Sequence, residues 1–228
     1  MAATYVKHLA RRAFIGTLLS GFAFVAVHPT SPAKAAETNP EKFIHDLAEQ
    51  ALTVVTDKSS KPEARLAIFS EWVNRYFDMK GIARFLVGRY WRLATKEERE
   101  AYFNAFSEST VYTYFAQFGE YSGQTLKVHS SKEDGRFTLV HSEIVDPSGK
   151  PPVRVDWRLL KPKDEFKIID VVIEGVSMAI TQRQEYASVI QRSGGKLEGL
   201  TNALSKRLAI LKQEAGLPQQ GPTGQTPD

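Results

Sequence analysis

The sequence predicts an α+β domain: one antiparallel sheet of about four strands, covered by helices. Three observations carry this. Apolar residues recur at helical spacing from Phe43 to about Phe118, alternate at strand spacing from Leu126 to Ile173, then return to helical spacing. The alternating part is divided by Asp134-Gly135, Asp146-Pro147-Ser148-Gly149 and Pro162-Lys163-Asp164, all turn sequences. Strands joined by short turns form a meander, and helices before and after one sheet give an α+β layer arrangement.

The helices can be placed in order. Asn39-Pro40-Glu41 starts the first, with proline at the first helical position, and Phe43, Leu47, Ala51 and Val55 follow on one face. Ser60-Lys61-Pro62-Glu63 starts the second, with Leu66, Phe69, Val73 and Phe77 on one face. A short third covers Met79 to Val87, with Gly88 as its stop. Thr95-Lys96-Glu97-Glu98 is a capping box, a hydroxyl at the cap and a carboxylate three residues on. It opens a long helix that ends near Gly119–Gly123.

The strands follow. Leu126 and Val128 mark the first, and Phe137 to Val145 the second. Val153, Val155, Trp157 and Leu159 alternate with Arg154, Asp156 and Arg158, so one face of the third is dry and one wet. Phe166 to Val176 reads as one strand, apolar on both faces at Ile168, Ile169, Val171, Val172 and Ile173. Helices over Thr181–Gln191 and Leu197–Lys212 close the domain, separated by Ser193-Gly194-Gly195.

Three segments organise the chain: an export signal over 1–36, one domain over 37–215, and a Pro/Gln/Gly/Thr-rich tail over 216–228, expected to be disordered. Lys7, Arg11 and Arg12 precede the apolar run Ala13 to Val27, and Ala33-Lys34-Ala35 fits the small-x-small cleavage pattern. Arg11-Arg12-Ala13-Phe14-Ile15 resembles a twin-arginine signal, with Ala10 and Gly16 departing from the usual flanks. The chain has no cysteine, which excludes disulfides, thiolate metal sites and a lipid anchor on a cysteine at the cleavage point. The expected location is the periplasm.

Residues 1–36 carry four basic groups and no acidic one, so the chain's 30 basic groups fall to 26 after cleavage, equal to its 26 acidic groups. The basic pI is therefore largely a property of the signal, and nucleic-acid binding, which needs a clustered basic face, is not expected. Catalytic patterns are also thin. Gly175-Val176-Ser177-Met178-Ala179 resembles a nucleophile elbow without its last glycine, but the hydrolase order needs a later histidine, and none follows His141. Ser177 reads better as a helix cap. His45, His129 and His141 have no metal-ligand spacing and read as surface or edge residues. No cofactor, metal or catalytic residue is expected.

Eight aromatics lie between Tyr102 and Tyr121, of 24 in the chain. A surface helix needs one apolar stripe; these positions spread around the barrel. The helix is either a packed core element or the wall of an apolar cavity, and the local sequence supports both.

The block Phe77-Asp78, Phe85-Leu86-Val87-Gly88-Arg89-Tyr90-Trp91-Arg92, Ala94-Thr95, Arg99, Phe103 and Phe106 resembles a known family. So do Lys167-Ile168-Ile169-Asp170-Val171-Val172-Ile173-Glu174-Gly175-Val176-Ser177 and Gly195, Leu197, Gly199-Leu200. They are similar to the periplasmic phospholipid-carrier family MlaC, also called the toluene-tolerance auxiliary component. The resemblance runs from about Pro40 to Leu211. A Tyr-Arg step usual in the family stands here as Gln182-Arg183, with Tyr186 nearby.

This resemblance implies a nuclear-transport-factor-like fold with an apolar pocket for acyl chains between sheet and helices. It implies a non-enzymatic shuttle between an outer-membrane lipoprotein–porin complex and an inner-membrane ABC transporter, acting to maintain outer-membrane lipid asymmetry. With the facing pattern, it points to Phe85, Leu86, Tyr90, Phe106, Tyr114, Phe118, Val155, Trp157, Val171 and Ile173 as pocket residues. Arg89 and Arg183 are the candidates for the mouth, beside a phosphate headgroup. A hopanoid-associated branch is similar, so the carried lipid is a phospholipid or a hopanoid. The competing reading is an adaptor with a solid core that only docks a membrane complex.

Overall fold

The alternating half of the chain closes into one antiparallel meander of five strands, one more than expected. The computed structural model describes residues 39–215, apart from 58, 119–120 and 163–164. The expected signal and tail lie outside the described residues. In sequence and spatial order the strands are β1 (Thr125–Asp134), β2 (Phe137–Val145), β3 (Val153–Leu160), β4 (Lys167–Ile173) and β5 (Val176–Ser177).

The additional strand comes from a turn inside the run expected as one strand. Glu174 and Gly175 both have positive φ, 49° and 81°. Two such residues make the tight hairpin turn that matches strand twist. Val176 then pairs with Ile173 and Ser177 with Val172. Glutamate seldom takes this conformation, so the turn had no local signal. β3 holds it in place: the Glu174 N–H donates to Arg154 O at 3.0 Å, and its carboxylate accepts from the Arg154 N–H.

Register sorts the sheet into two faces. Val140, Ser142 and Ile144 of β2 stand opposite Trp157, Val155 and Val153 of β3. Val155 and Trp157 stand opposite Ile173 and Val171 of β4. These residues share the dry face. The wet face carries the His141–Asp156 hydrogen bond at 2.8 Å and the Arg158–Asp170 pair at 3.4 Å.

Seven helices among the described residues cover the sheet or pack beside it. They are α1 (Pro40–Thr56), α2 (Pro62–Tyr76), α3 (Met79–Val87), α4 (Arg89–Leu93), α5 (Lys96–Phe118), α6 (Met178–Arg192) and α7 (Leu197–Glu214). The cap chemistry matches the sequence signals. Asn39 accepts from the Lys42 N–H at 2.6 Å, and Ser177 from the Ile180 N–H at 3.0 Å. The capping box is reciprocal: Glu98 N–H to Thr95 Oγ1 at 3.2 Å, Thr95 N–H to Glu98 Oε2 at 2.7 Å. Helix α4 was not expected. Gly88, read as a stop, is a kink with φ 51° and ψ −113°, after which the chain resumes helix.

Two apolar clusters result. In the first, Phe43, Ile44 and Leu47 of α1 and Tyr76 of α2 pack on Val140, Leu159 and Ile168 of the sheet. In the second, α3 to α7 and one side of α2 bury Phe69, Leu86, Tyr102, Phe106, Ile190 and Leu200 together. Trp72 and Phe77 pack against both. The α2–α3 joint is pinned to the sheet where the Asp78 N–H donates to Ile168 O at 2.9 Å.

One polar group secures the start of α6. Asp170 on β4 is buried. It accepts from Ser177 Oγ at 2.6 Å and from the Ala179 N–H at 3.0 Å, and it faces Arg158. The Ser177 hydroxyl is thus consumed as donor to Asp170 and acceptor for Ile180, a cap rather than a nucleophile. Removing a buried carboxylate strands its donors. Asp170→Ala is expected to cost about 2 kcal/mol, reduced from the full buried-pair value because Arg158 is partly exposed. Urea denaturation with an unchanged m-value would measure it; an unchanged midpoint would show that Asp170 does not hold the joint.

Candidate functional site

The dry face of the sheet runs beyond the helices that cover it. Its middle is closed: Val140, Val155 and Leu159 are buried, and Trp157 and Val171 pack against the α1–α2 cluster. At the end formed by the β2 C-terminus, the β3 N-terminus and the β4–β5 hairpin it opens. There Ile144, Val153, Ile173 and Val176 are between 36% and 60% exposed. Two polar side chains of this face, Ser142 and Trp157, are satisfied internally. Trp157 Nε1 donates to Ser142 Oγ at 2.9 Å, and that hydroxyl donates to Val155 O at 2.7 Å. The surface left to a ligand is carbon.

Aromatic residues of α5 and α6 meet one another. Most aromatics of α5 serve packing: Tyr102 stacks on Phe106 at 6.0 Å, meets Trp91 at 6.4 Å and Tyr186 at 6.5 Å, and donates to Ala83 O at 3.1 Å. Tyr114 differs. It is 36% exposed, yet loss of water around it raises its phenol pKa. Tyr186 is buried, and its phenol is raised first by desolvation and next by the neighbouring Tyr114.

Two orphan donors lie on one face of α2. Arg65 Nε and Trp72 Nε1, seven residues apart, are buried and have no hydrogen-bond partner among the described residues. Phe69 lies between them and stacks on Trp72 at 5.6 Å. A buried donor left unpaired costs about 1–3 kcal/mol. Trp72 also touches both apolar clusters, so its N–H sits at the seam between helical layer and sheet.

A separate feature stands on the outward side of α3. Gly81, Arg84, Phe85, Gly88, Arg89, Arg92 and Arg183 line a groove of about 400 Å³. Arg183 reaches it from α6, donating to Phe85 O at 2.9 Å with its guanidinium 4.7 Å from the Phe85 ring centre. Gly88 permits this approach, since a Cβ there would stand 2.7 Å from Arg183 Nη2. Arg89 donates to the Tyr90 hydroxyl at 3.0 Å and lies 4.9 Å from its ring centre. None of the four guanidinium groups meets a carboxylate among the described residues.

The expected pocket residues therefore separate. Val155, Trp157, Val171 and Ile173 share the dry sheet face, and Tyr114 is partly exposed on α5. Leu86, Tyr90 and Phe106 sit instead in the packed helical cluster. Apolar spacing alone does not distinguish a core from a cavity wall. Phe85 faces the arginine groove, and the Phe118 side chain lies outside the described residues. Arg89 and Arg183, distant in sequence, meet in one groove, together with Arg84 and Arg92, which sequence reasoning missed. Arg65 and Trp72 were also missed, because an orphan donor is a property of the packed state only.

A family description, MlaC protein, matches residues 45–206, from inside α1 to inside α7. The chain belongs to the MlaC family. It is 25% identical over 167 residues to the intermembrane phospholipid transport system binding protein MlaC of Haemophilus influenzae, covering 70% of this chain and 78% of that protein. It is 23% identical over 200 residues to the toluene tolerance protein ttg2D of Pseudomonas putida, covering 87% and 91%. Its fold matches a phospholipid-binding protein from Ralstonia solanacearum, solved in complex with a phospholipid. That match has a TM-score of 0.65 and 22% identity, and covers 75% of this chain and 97% of that one. The α+β fold with an antiparallel sheet is thus shared with that solved structure. No helix among the described residues is long and apolar enough to cross a membrane.

The buried phenols make a prediction at alkaline pH. Burial raises the folded-state pKa of Tyr102, Tyr114 and Tyr186 above the ordinary value near 10. Stability from these groups is complete below the unfolded-chain pKa and is lost as pH rises past it. Their ionisation, followed at the tyrosinate absorbance band, should coincide with loss of the circular dichroism signal. Full titration near pH 10 with the fold intact would contradict the burial of these phenols.

Proposed function

We propose that this protein is a periplasmic phospholipid carrier that shuttles lipid between outer-membrane and inner-membrane transport complexes and so maintains outer-membrane lipid asymmetry. The observation that carries the reading is the open end of the dry sheet face, an accessible apolar surface. Family membership and the phospholipid named for the Haemophilus and Ralstonia proteins support it. In this reading acyl chains lie on Ile144, Val153, Ile173 and Val176. The Arg65 and Trp72 donors meet ester or phosphate oxygens at the seam. No residue has a catalytic role.

The energetics favour a carrier over a sink. Two acyl tails of some thirty methylenes are worth roughly 25 kcal/mol against water at ~0.8 kcal/mol each. That exceeds the practical ceiling of ~20 kcal/mol for non-covalent binding. The lipid, however, leaves a bilayer that is already apolar. The pocket needs only to match the membrane, and near-balance permits both loading and release.

The test is native mass spectrometry with organic extraction of protein purified without detergent. One phospholipid per chain is the expected result. A hopanoid mass would move the protein to the other lipid class, and a bare chain with no uptake from labelled vesicles would overturn carriage. Ile173→Glu places a carboxylate on the accessible apolar end. It should lower bound lipid by at least about tenfold, because an ion cannot be buried against hydrocarbon unpaired. Its effect on thermal stability should be small, as expected of an accessible site. Leu86→Gln is the control with the opposite pattern: it strikes the packed cluster and should destabilise the domain.

A further inference from the structure

We propose that the arginine groove of α3, α4 and α6 docks the protein on the anionic surface of a phospholipid bilayer. This goes beyond carriage, because the groove is distinct from the apolar end of the sheet. The buried face of α3, with Ala83, Leu86 and Val87, lies in the helical cluster, and the groove stands on its other side.

Charge is the first argument. Arg84, Arg89, Arg92 and Arg183 surround about 400 Å³ without a carboxylate partner among the described residues. Residues 37–228 hold equal numbers of basic and acidic groups, so this is a local excess rather than a general one. Four cations at close range repel one another until an anion enters. A phosphodiester suits them, since the planar guanidinium binds its oxygens in pairs.

Preorganisation is the second. Arg183 is fixed by Phe85 O and the Phe85 ring, and Arg89 by Tyr90. Both cations are thus positioned before any ligand arrives. Arg84 and Arg92 are exposed, with side chains available to meet a surface.

The apolar neighbours decide the occupant. Leu93, next after Arg92, is 79% exposed, and Phe85 in the groove is 43% exposed. An acidic protein segment would satisfy the cations and leave Leu93 in water. Cations beside projecting apolar groups have the composition of an interfacial anchor, the charges at the phosphates and the hydrocarbon just beneath.

The experiment is flotation of the purified protein with phosphatidylglycerol–phosphatidylcholine vesicles and with pure phosphatidylcholine vesicles, at low and raised salt. Binding to the anionic vesicles alone, weakened by salt, is expected. Arg84→Ser/Arg92→Ser should lower the partition about 30-fold, from about 1 kcal/mol per arginine at an anionic surface. Neither side chain holds another element, so the fold should be kept. Leu93→Ser should lower binding without changing its salt dependence. Equal binding to both vesicle types, no flotation, or a double variant that floats like the parent would overturn the proposal; absence of flotation would favour an acidic protein surface. Lipid load is read separately by extraction. A protein that carries lipid but does not float sinks the docking surface alone, and one that floats empty sinks the carrier reading alone.

Discussion

The fold depends on one constraint: the meander has a single apolar face that is longer than the helices covering it. Alternation sends Val140, Val153, Val155, Trp157, Leu159, Val171 and Ile173 to the same side. Helices α1 and α2 close the middle with Phe43, Ile44, Leu47 and Tyr76. They leave the β4–β5 end open. An apolar face left to water has an unfavourable free energy in proportion to its area. It is tolerated where another apolar body covers it for part of the working cycle.

The helical layer is built differently. Its cluster is filled by interlocking aromatics and leucines, and Trp72 and Phe77 also pack against the sheet cluster. Trp72 lies between the two clusters, and its N–H has no hydrogen-bond partner among the described residues. The combination of apolar walls with a few polar donors at one depth suits a molecule with hydrocarbon at one end and oxygen at the other.

Polar groups are segregated by task. Asp170 is buried and fully engaged in joining β4 to α6, while Ser142 closes the polar account of the dry face. Arg84, Arg89, Arg92 and Arg183 line a surface groove and form no ion pair among the described residues, and two of them are held by helix-terminal and aromatic contacts. The buried carboxylate is therefore paired and hydrogen-bonded inside, while these arginines stand at the surface.

Much of this was legible in the chain. Asn39, Thr95 with Glu98, and Ser177 announce helix starts because capping is a local hydrogen bond between residues three apart. Val153 to Leu159 shows its two faces because strand period is a property of the backbone. The remainder was decided by tertiary contact. Glu174 takes a positive φ because Arg154 of the neighbouring strand holds it, so β5 could not be read from its own residues. Leu86 and Phe106 went to a core, and Ile144, Val153 and Val176 to an accessible surface, because apolar spacing records that a face is dry and not what covers it. Arg89 and Arg183 share a groove only because α6 packs on α3. By itself the sequence determined which residues avoid water and where each element begins. The tertiary structure decided which apolar surface stays open and which charges meet, since both depend on the distance between elements far apart along the chain.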